Sequence, residues 1–463
     1  MALASAMTLV GAANATATAA PTGKSAAVVS AADPAPDPDA GKPPANKTIT
    51  EGDYFSYPNR SFSYAVAIRN RVLNTINSTW GEYVAVPDDP ATPLVDETEL
   101  AHGTIRMSTW SFNDSTIAHA LHAARNRGAS VQIVAAESVN NEMHYKAWSD
   151  IKRVLNTSQT DDDFARECRG ACRGTGGTPH SKVFLFDDVG SRHRHNVVVQ
   201  TSMNLTRKAY RGQWNSATVM WNEPVYGDFL DIFNQSAARG SAGTGYRKWT
   251  HGGVTDIFFP GGTASNDPVL DALDHVHCTG VTAGGIRGRT RIRIIQYALY
   301  DTRGNAIAKK LRGLWNNGCN VAIIYSVTSL PVLKILRSHS GRGAVPMRQS
   351  VTKDRHGTIV DYNHSKWMAI SGNYSGVSHG AYMVLAGSAN WSDFAYHCDE
   401  QMQQIFGRSW VAPFFHTFDT TWRQRTSRPP SSGRTTDGGR MMENIPEQPT
   451  FGEGIYANLS EDG

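Results

Sequence analysis

The order of apolar and polar positions gives the chain a patterned middle. Gly103–Phe112 (GTIRMSTWSF) reads as a strand, and Asn113-Asp114-Ser115 after it is a helix-start signal. Ile117–Arg125 has helical spacing, Arg127-Gly128 stops it, and Val131–Val134 is the next strand. The run recurs further along. Arg291–Tyr300 is strand-like, Asp301 is the expected cap, and Ala306–Trp315 is helical. Gly318 is the stop and Val321–Tyr325 the following strand. Strand, helix and hydrophobic strand in succession predict parallel pairing in a covered sheet. Two copies predict an α/β protein. Its two similar α/β/α sandwich lobes are expected to hold mixed, largely parallel sheets in a pseudo-two-fold arrangement, over residues 51–250 and 251–426.

The ends lack this pattern. Residues 1–50 are rich in Ala, Pro, Thr and Asp. They begin with a short apolar run and overlapping A-x-A sites before the first charge, Lys24, which reads as a signal-like segment and flexible linker and predicts secretion. From about 427 onward apolar periodicity is lost, and 427–463 is expected to be a disordered tail.

Composition narrows the classes. Of 463 residues, 40% are hydrophobic and 19% charged, which excludes disorder of the whole chain. The net charge of +4 is too small to demand nucleic acid. No run of 18 apolar residues argues for a membrane-spanning helix. The five cysteines leave at least one unpaired. Cys168 and Cys172 can close a small loop, and Cys278 and Cys319 a second ring, with Cys398 left over. The alternatives are five reduced thiols, or zinc, for which C-x3-C lacks a second pair.

The chemistry lies in a repeated motif. His180-Ser-Lys182 runs into Val-Phe-Leu-Phe-Asp187, and His364-Ser-Lys366 runs into Trp-Met-Ala-Ile-Ser371. Each is followed by another strand and a polar turn, Thr201-Ser202-Met203-Asn204 in the first half and Gly387-Ser388-Ala389-Asn390 in the second. A third H-x-K, His144-Tyr-Lys146, has neither strand nor Asn behind it and reads as surface helix. In the repeated motif, alternation sends His and Lys to one side. A neutral imidazole is a nucleophile near neutral pH, and a second can protonate a departing oxygen. Two Lys and two Asn then offer donors to a tetrahedral anion. These groups converge only if the two lobes face each other. No cluster at ligand spacing calls for a metal, and no cofactor is expected.

Over roughly residues 60–425 these motifs resemble the phospholipase D superfamily, whose signature is H-x-K-x4-D with a G-S-x-N turn, twice per site. The first copy is complete in His180, Lys182 and Asp187. The second has Ser371 where the family has Asp, and the resemblance gives that Asp a strand-supporting role, so reduced rigidity is expected. The family also carries an acidic residue beyond each turn that orients the opposite histidine. Here that position holds Glu400 in the second half but Asn215 in the first. Glu400 is expected to face His180 and Asn215 to face His364, which makes His180 the nucleophile and His364 the acid/base.

The resemblance implies phosphodiester chemistry in two displacements through a phosphohistidine, without a metal, and so hydrolysis of a phosphatidyl ester or its transfer to an alcohol. A monomer is expected, acting on phospholipid or another phosphodiester at a membrane surface. The alternatives are a secreted nuclease, a toxin, and a catalytically degenerate binding protein on the same fold.

Overall fold

Strand Val183–Val189 shows how the layers are built. Val183 and Leu185 enter one core while Phe184 and Phe186 enter another, because successive side chains of a strand leave opposite faces. The structure is a computed structural model that describes residues 42–44, 47–84, 100–157, 162–238, 245–356 and 359–424. The signal-like segment and the tail from 427 lie outside the described residues.

A seven-stranded sheet runs in the order Gly52–Phe55, Ser216–Trp221, Arg194–Thr201, Val183–Val189, Thr104–Thr109, Ser130–Ala136, Phe164–Cys168. A nine-stranded sheet runs Arg247–His251, Val254–Phe258, Gln401–Phe406, Val377–Gly387, Lys366–Tyr374, Arg291–Leu299, Asn320–Thr328, Met347–Gln349, with Val276–His277 paired to Lys366–Tyr374 off this path. From Ser216–Trp221 and Gln401–Phe406 onward the two orders correspond strand for strand.

The sheets are mixed, but they are not largely parallel. In the first, Ser130–Ala136 pairs in parallel with both neighbours, and every other pairing is antiparallel. The second is the same around Asn320–Thr328. Helical crossovers give the parallel pairs. The strands behind each H-x-K return through tight turns, which join only antiparallel neighbours. Strand Arg247–His251, which straddles the expected junction at 250/251, belongs wholly to the second sheet.

Both sheets are covered on both faces. Helices Ala67–Asn77, Ser115–Asn126 and Lys146–Leu155 pack on the outer face of the first. Pro268–Asp274, Asp301–Asn316 and Leu330–Leu336 do so on the second. Between the sheets lie Glu223–Ala237, with Phe229 and Phe233, and Arg408–Gln424, with Phe414 and Phe418, in one core with Leu185 and Val198 of the first sheet and Ala369 and Val384 of the second.

Asp114 caps its helix as the sequence predicts, accepting from the Thr116 and Ile117 N–H groups. Asp301 does not cap. It is the first helical residue, at φ 63°, and the cap comes from Asp393, which accepts from Thr302 N–H at 3.1 Å and Arg303 N–H at 2.8 Å. This ties the turn after Asn390 to that helix. His144 is exposed, just ahead of helix Lys146–Leu155.

Two disulfides are present, Cys168–Cys172 and Cys278–Cys319, and Cys398 is a buried free thiol. The second closes over a sequence separation of 41 residues, a ring worth about 4 kcal/mol by loss of unfolded-chain entropy, against about 2 kcal/mol for the short one. Replacing Cys278 and Cys319 together by Ser is therefore expected to lower unfolding free energy about twice as much as replacing Cys168 and Cys172, read by urea denaturation. An equal or reversed order would show that the short loop has a larger structural role.

Candidate active site

Each histidine is held by the opposite half of the chain. Pro179 pairs in parallel with Asp399. The His180 N–H donates to the Asp399 carbonyl at 2.9 Å, and the Asp399 N–H donates to the Thr178 carbonyl at 3.0 Å. The reciprocal pairing sets Asn363 beside Trp214, with the His364 N–H donating to the Trp214 carbonyl at 2.9 Å. Residues 400 and 215, next along each partner segment, are thereby aimed at the histidines. His180 Nδ1 lies 2.8 Å from Glu400 Oε1. His364 Nδ1 lies 3.0 Å from the Ser202 carbonyl and 3.2 Å from Asn215 Oδ1.

The serines of the S-x-N turns complete this crossed pattern. Ser388 Oγ donates to the Glu400 carboxylate and also lies 2.7 Å from Gln401 Oε1. Ser202 Oγ donates to Asn215 Oδ1 at 2.8 Å. Neither serine touches its own half's histidine through its hydroxyl; each fixes the group that orients the other's.

Lys182 and Lys366 are buried. Lys182 Nζ donates to the His180 carbonyl at 2.5 Å, and Lys366 Nζ to the His364 carbonyl at 2.7 Å. Asn204 is fully buried. Asn390 is half-buried, and its backbone carbonyl accepts from Arg303 at 2.9 Å. The Asn390 side-chain Oδ1 is buried with no hydrogen-bond partner among the described residues.

Two aromatic residues belong to this site that the sequence reading passed over. The Trp110 ring meets the His180 ring edge-on at 5.5 Å and lies 5.7 Å from Lys182 Nζ. The Tyr297 ring lies 4.7 Å from that of His364 and 4.9 Å from Lys366 Nζ. The signal was in the repeat: both aromatics fall at the end of its first strand, Thr104–Thr109 or Arg291–Leu299.

Asp187 does not reach the histidines. It accepts from Arg106 at 2.9 Å and from the Tyr226 hydroxyl, so it fastens its strand to helix Glu223–Ala237. At the matching position Ser371 donates to the Gly284 carbonyl at 2.7 Å. Arg291, opposite Ser371 in register, pairs with both oxygens of Asp419 at 2.9 Å. The middle-layer helix Arg408–Gln424 thus supplies the carboxylate that the strand lacks.

Electrostatics separate the two imidazoles. Burial drives His180 down from 6.5 to about 4, against the opposing pull of Glu400. Burial, then Lys366 and Lys182, hold His364 well below its ordinary value. Burial pushes Glu400 up, but His180, Lys182 and Ser388 outweigh it, and its carboxyl sits below the usual range. Both histidines are therefore neutral at neutral pH while Glu400 is ionised. Glu400, Asn215 Oδ1 and the Ser202 carbonyl all accept, so each Nδ1 carries the proton and each Nε2 keeps a lone pair. The motifs meet in space, since Lys366 acts on His180, and Lys182 and His180 act on His364.

Residues 94–237 match the family model described as cardiolipin synthase, PLD-like domain, which supports membership of the phospholipase D superfamily. That span holds the first H-x-K motif; His364 and Lys366 lie beyond it. Members of this superfamily are phosphodiesterases and phosphotransferases. Among solved structures, the phosphatidylserine synthase of Haemophilus influenzae Rd KW20 is similar at 11% identity and a TM-score of 0.51, over 81% of this chain and 87% of that one. This likeness shows the fold. The polyphosphate kinase of Porphyromonas gingivalis is similar at 14% identity and a TM-score of 0.48, over 82% of this chain but 52% of the kinase, so the chain spans about half that protein's length. Nuc of Salmonella typhimurium, a phospholipase D family member, matches at 22% identity and a TM-score of 0.28, over 40% of this chain and 93% of that one. No curated protein matches the sequence.

Proposed function

We propose that the chain is a phospholipase D-type phosphodiesterase that hydrolyses a phosphatidyl ester in two displacements through a phosphohistidine on His180. The observation that carries this reading is the asymmetry of the two histidine supports: a buried carboxylate 2.8 Å from His180 and neutral acceptors at His364. In the first displacement His180 Nε2 attacks phosphorus and the bond to the head-group oxygen breaks. The attacking ring gains positive charge and keeps it in the intermediate, where Glu400 balances it. The departing oxygen takes a proton from His364 Nε2. An imidazolium with no carboxylate beside it gives up that proton readily. In the second displacement His364 takes a proton from water, the water oxygen bonds to phosphorus, and the bond to His180 breaks. Lys182, Lys366, Asn204 and Asn390 are assigned to the phosphoryl oxygens. The anionic substrate between the two lysines lets His364 hold its proton in the complex.

A lipid ester is preferred to a nucleic-acid backbone on two grounds. The matched model is described by cardiolipin synthase, and the net charge is +4 over 463 residues, weak for a polyanion. All the assigned groups come from one chain, which supports a monomer as the working unit. Secretion is proposed on the A-x-A pattern together with the two disulfides.

The test is turnover of phosphatidylcholine, phosphatidylglycerol, cardiolipin and single-stranded DNA, each with and without EDTA. A phospholipid is expected to release its head group at an unchanged rate in EDTA. Cleavage of DNA alone would replace this reading with a nuclease. Turnover of nothing would leave the binding protein. Loss in EDTA restored by calcium or zinc would show that a metal takes part.

A further inference from the structure

We propose that the exposed segment Arg60–Tyr64 and the neighbouring helix Arg207–Arg211 form one docking surface for an anionic phospholipid bilayer, placed beside His364. The inference deepens the phosphatidyl-ester reading and rests on it.

Phe62 and Tyr64 are the most exposed large apolar side chains among the described residues, at 61% and 50%. Each is paired with a guanidinium rather than with other apolar groups. Arg211 lies over the Phe62 ring at 5.2 Å, and Arg60 over Tyr64 at 5.3 Å and Tyr57 at 4.7 Å. Arg60, Arg207 and Arg211 are all exposed. The sequence keeps acid away from them: neither Asp nor Glu occurs between Tyr54 and Gly81 or between Val189 and Asn222. Asp114 is paired with Arg69 at 2.7 Å, and Asp361 acts on Lys208. The corresponding segment of the other half, Asp393–Tyr396, has an acid and no cation, so the surface is one-sided.

The patch is built into the site. Lys208 Nζ donates to the Val360 carbonyl at 2.6 Å, and the Tyr362 N–H donates to the Gly212 carbonyl at 3.0 Å. Strand Ile359–Asn363 ends immediately before His364. On the other side, Arg207 follows Asn204 by three residues. A bilayer resting here would present its phosphates at the level of both H-x-K motifs.

A bilayer fits better than a nucleic-acid strand. Bases bind aromatic side chains by stacking on open ring faces, and guanidinium groups cover ring faces of Phe62 and Tyr64 here. Aromatic rings flanked by Arg suit the boundary between head groups and acyl chains, with the guanidinium N–H groups turned to phosphate.

The experiment is co-sedimentation of the whole chain with vesicles of phosphatidylcholine alone and of phosphatidylcholine mixed with phosphatidylglycerol. Turnover of monomeric short-chain phosphatidylglycerol is measured alongside as the control for folding and chemistry. Wild type is expected to pellet with the mixed vesicles, less so in high salt. Arg60→Ser with Arg211→Ser is expected to weaken this roughly 30-fold, at about fivefold per cation near an anionic surface. Phe62→Ser with Tyr64→Ser is expected to weaken it as well. Monomer turnover should stay at the wild-type rate in both variants. Binding unaffected by these substitutions, no vesicle binding by wild type, or patch-dependent binding of a single-stranded oligonucleotide instead of vesicles would each overturn the proposal. Patch-dependent vesicle binding without turnover of any phosphatidyl ester would leave the docking surface standing and remove the catalytic reading.

Discussion

His180→Ala and His364→Ala are each expected to lower kcat by about 10⁴-fold or more, and the double variant to lose little beyond either single one, because nucleophile and acid act as a unit. The reason lies in the shared geometry. Each imidazole has Nδ1 tied to an acceptor, which leaves Nε2 for chemistry, and each feels the charges of the other's motif. Quenching turnover with denaturant at alkaline pH, where the phosphorus–nitrogen bond survives, should leave phosphorus on His180 in wild type and none in His180→Ala. Label on His364 instead would exchange the two roles. The pH profile adds a separate check. His180 attacks only when neutral, and its imidazole sits at about 4 rather than 6.5. As pH falls, kcat/KM should therefore show no acid limb through the range where an ordinary imidazole becomes protonated, and drop only near pH 4. An acid limb near 6.5 would mean that the histidine is far less buried in solution, or that it is not the attacking group.

The sequence revealed much of this because the chemistry is local and repeated. H-x-K, the strand behind it and the S-x-N turn lie within about thirty residues of one another, and the duplication lifts them above chance. The pairing of Glu400 with His180 was also legible, although 220 residues separate them, since the repeat fixes which segment faces which motif. Long-range compensation was not. Ser371 read as a loss because its strand carries no carboxylate. The replacement, Asp419, sits on the last helix and reaches Arg291 only once that helix lies between the sheets. Asp301 read as a cap because Asp at a helix start usually caps. Asp393 does so instead, from a turn far along the chain that spacing alone does not bring near. The parallel character of the sheets was overestimated for a related reason. The strand–helix–strand units were conspicuous, whereas the hairpin strands that outnumber them carry weaker local signals. Trp110 and Tyr297 were missed because an aromatic at a strand end is usually core packing, and only the folded site shows each one against a histidine and a lysine.

Glu400→Gln is expected to lower kcat by about 10²- to 10⁴-fold with KM nearly unchanged, the range seen when a carboxylate that orients and neutralises a catalytic imidazole is lost. The amide keeps the shape: its oxygen can still accept from His180 Nδ1–H, while its NH2 faces Ser388 Oγ, which retains Gln401 Oε1 as an acceptor, so the loss reports charge more than packing. His180 would still attack, but its cationic intermediate would sit in a buried site between Lys182 and Lys366 with no counter-charge. Asn215→Asp makes the converse change. It sets a carboxylate 3.2 Å from His364 Nδ1, raises that imidazole from its depressed value, and lets its ring hold positive charge. Alone it should slow the first displacement, because a better-stabilised imidazolium is a weaker proton donor. Combined with Glu400→Gln it should move the trapped phosphorus from His180 to His364, because the attacking ring is the one with a buried carboxylate behind it. Mass mapping of the double variant quenched at alkaline pH reads this directly, with thermal unfolding checking that the new buried charge has not unfolded the protein. If a folded double variant still carries its label on His180, the carboxylate is not what selects the nucleophile, and the choice would instead lie in how the substrate is seated against Trp110 or Tyr297.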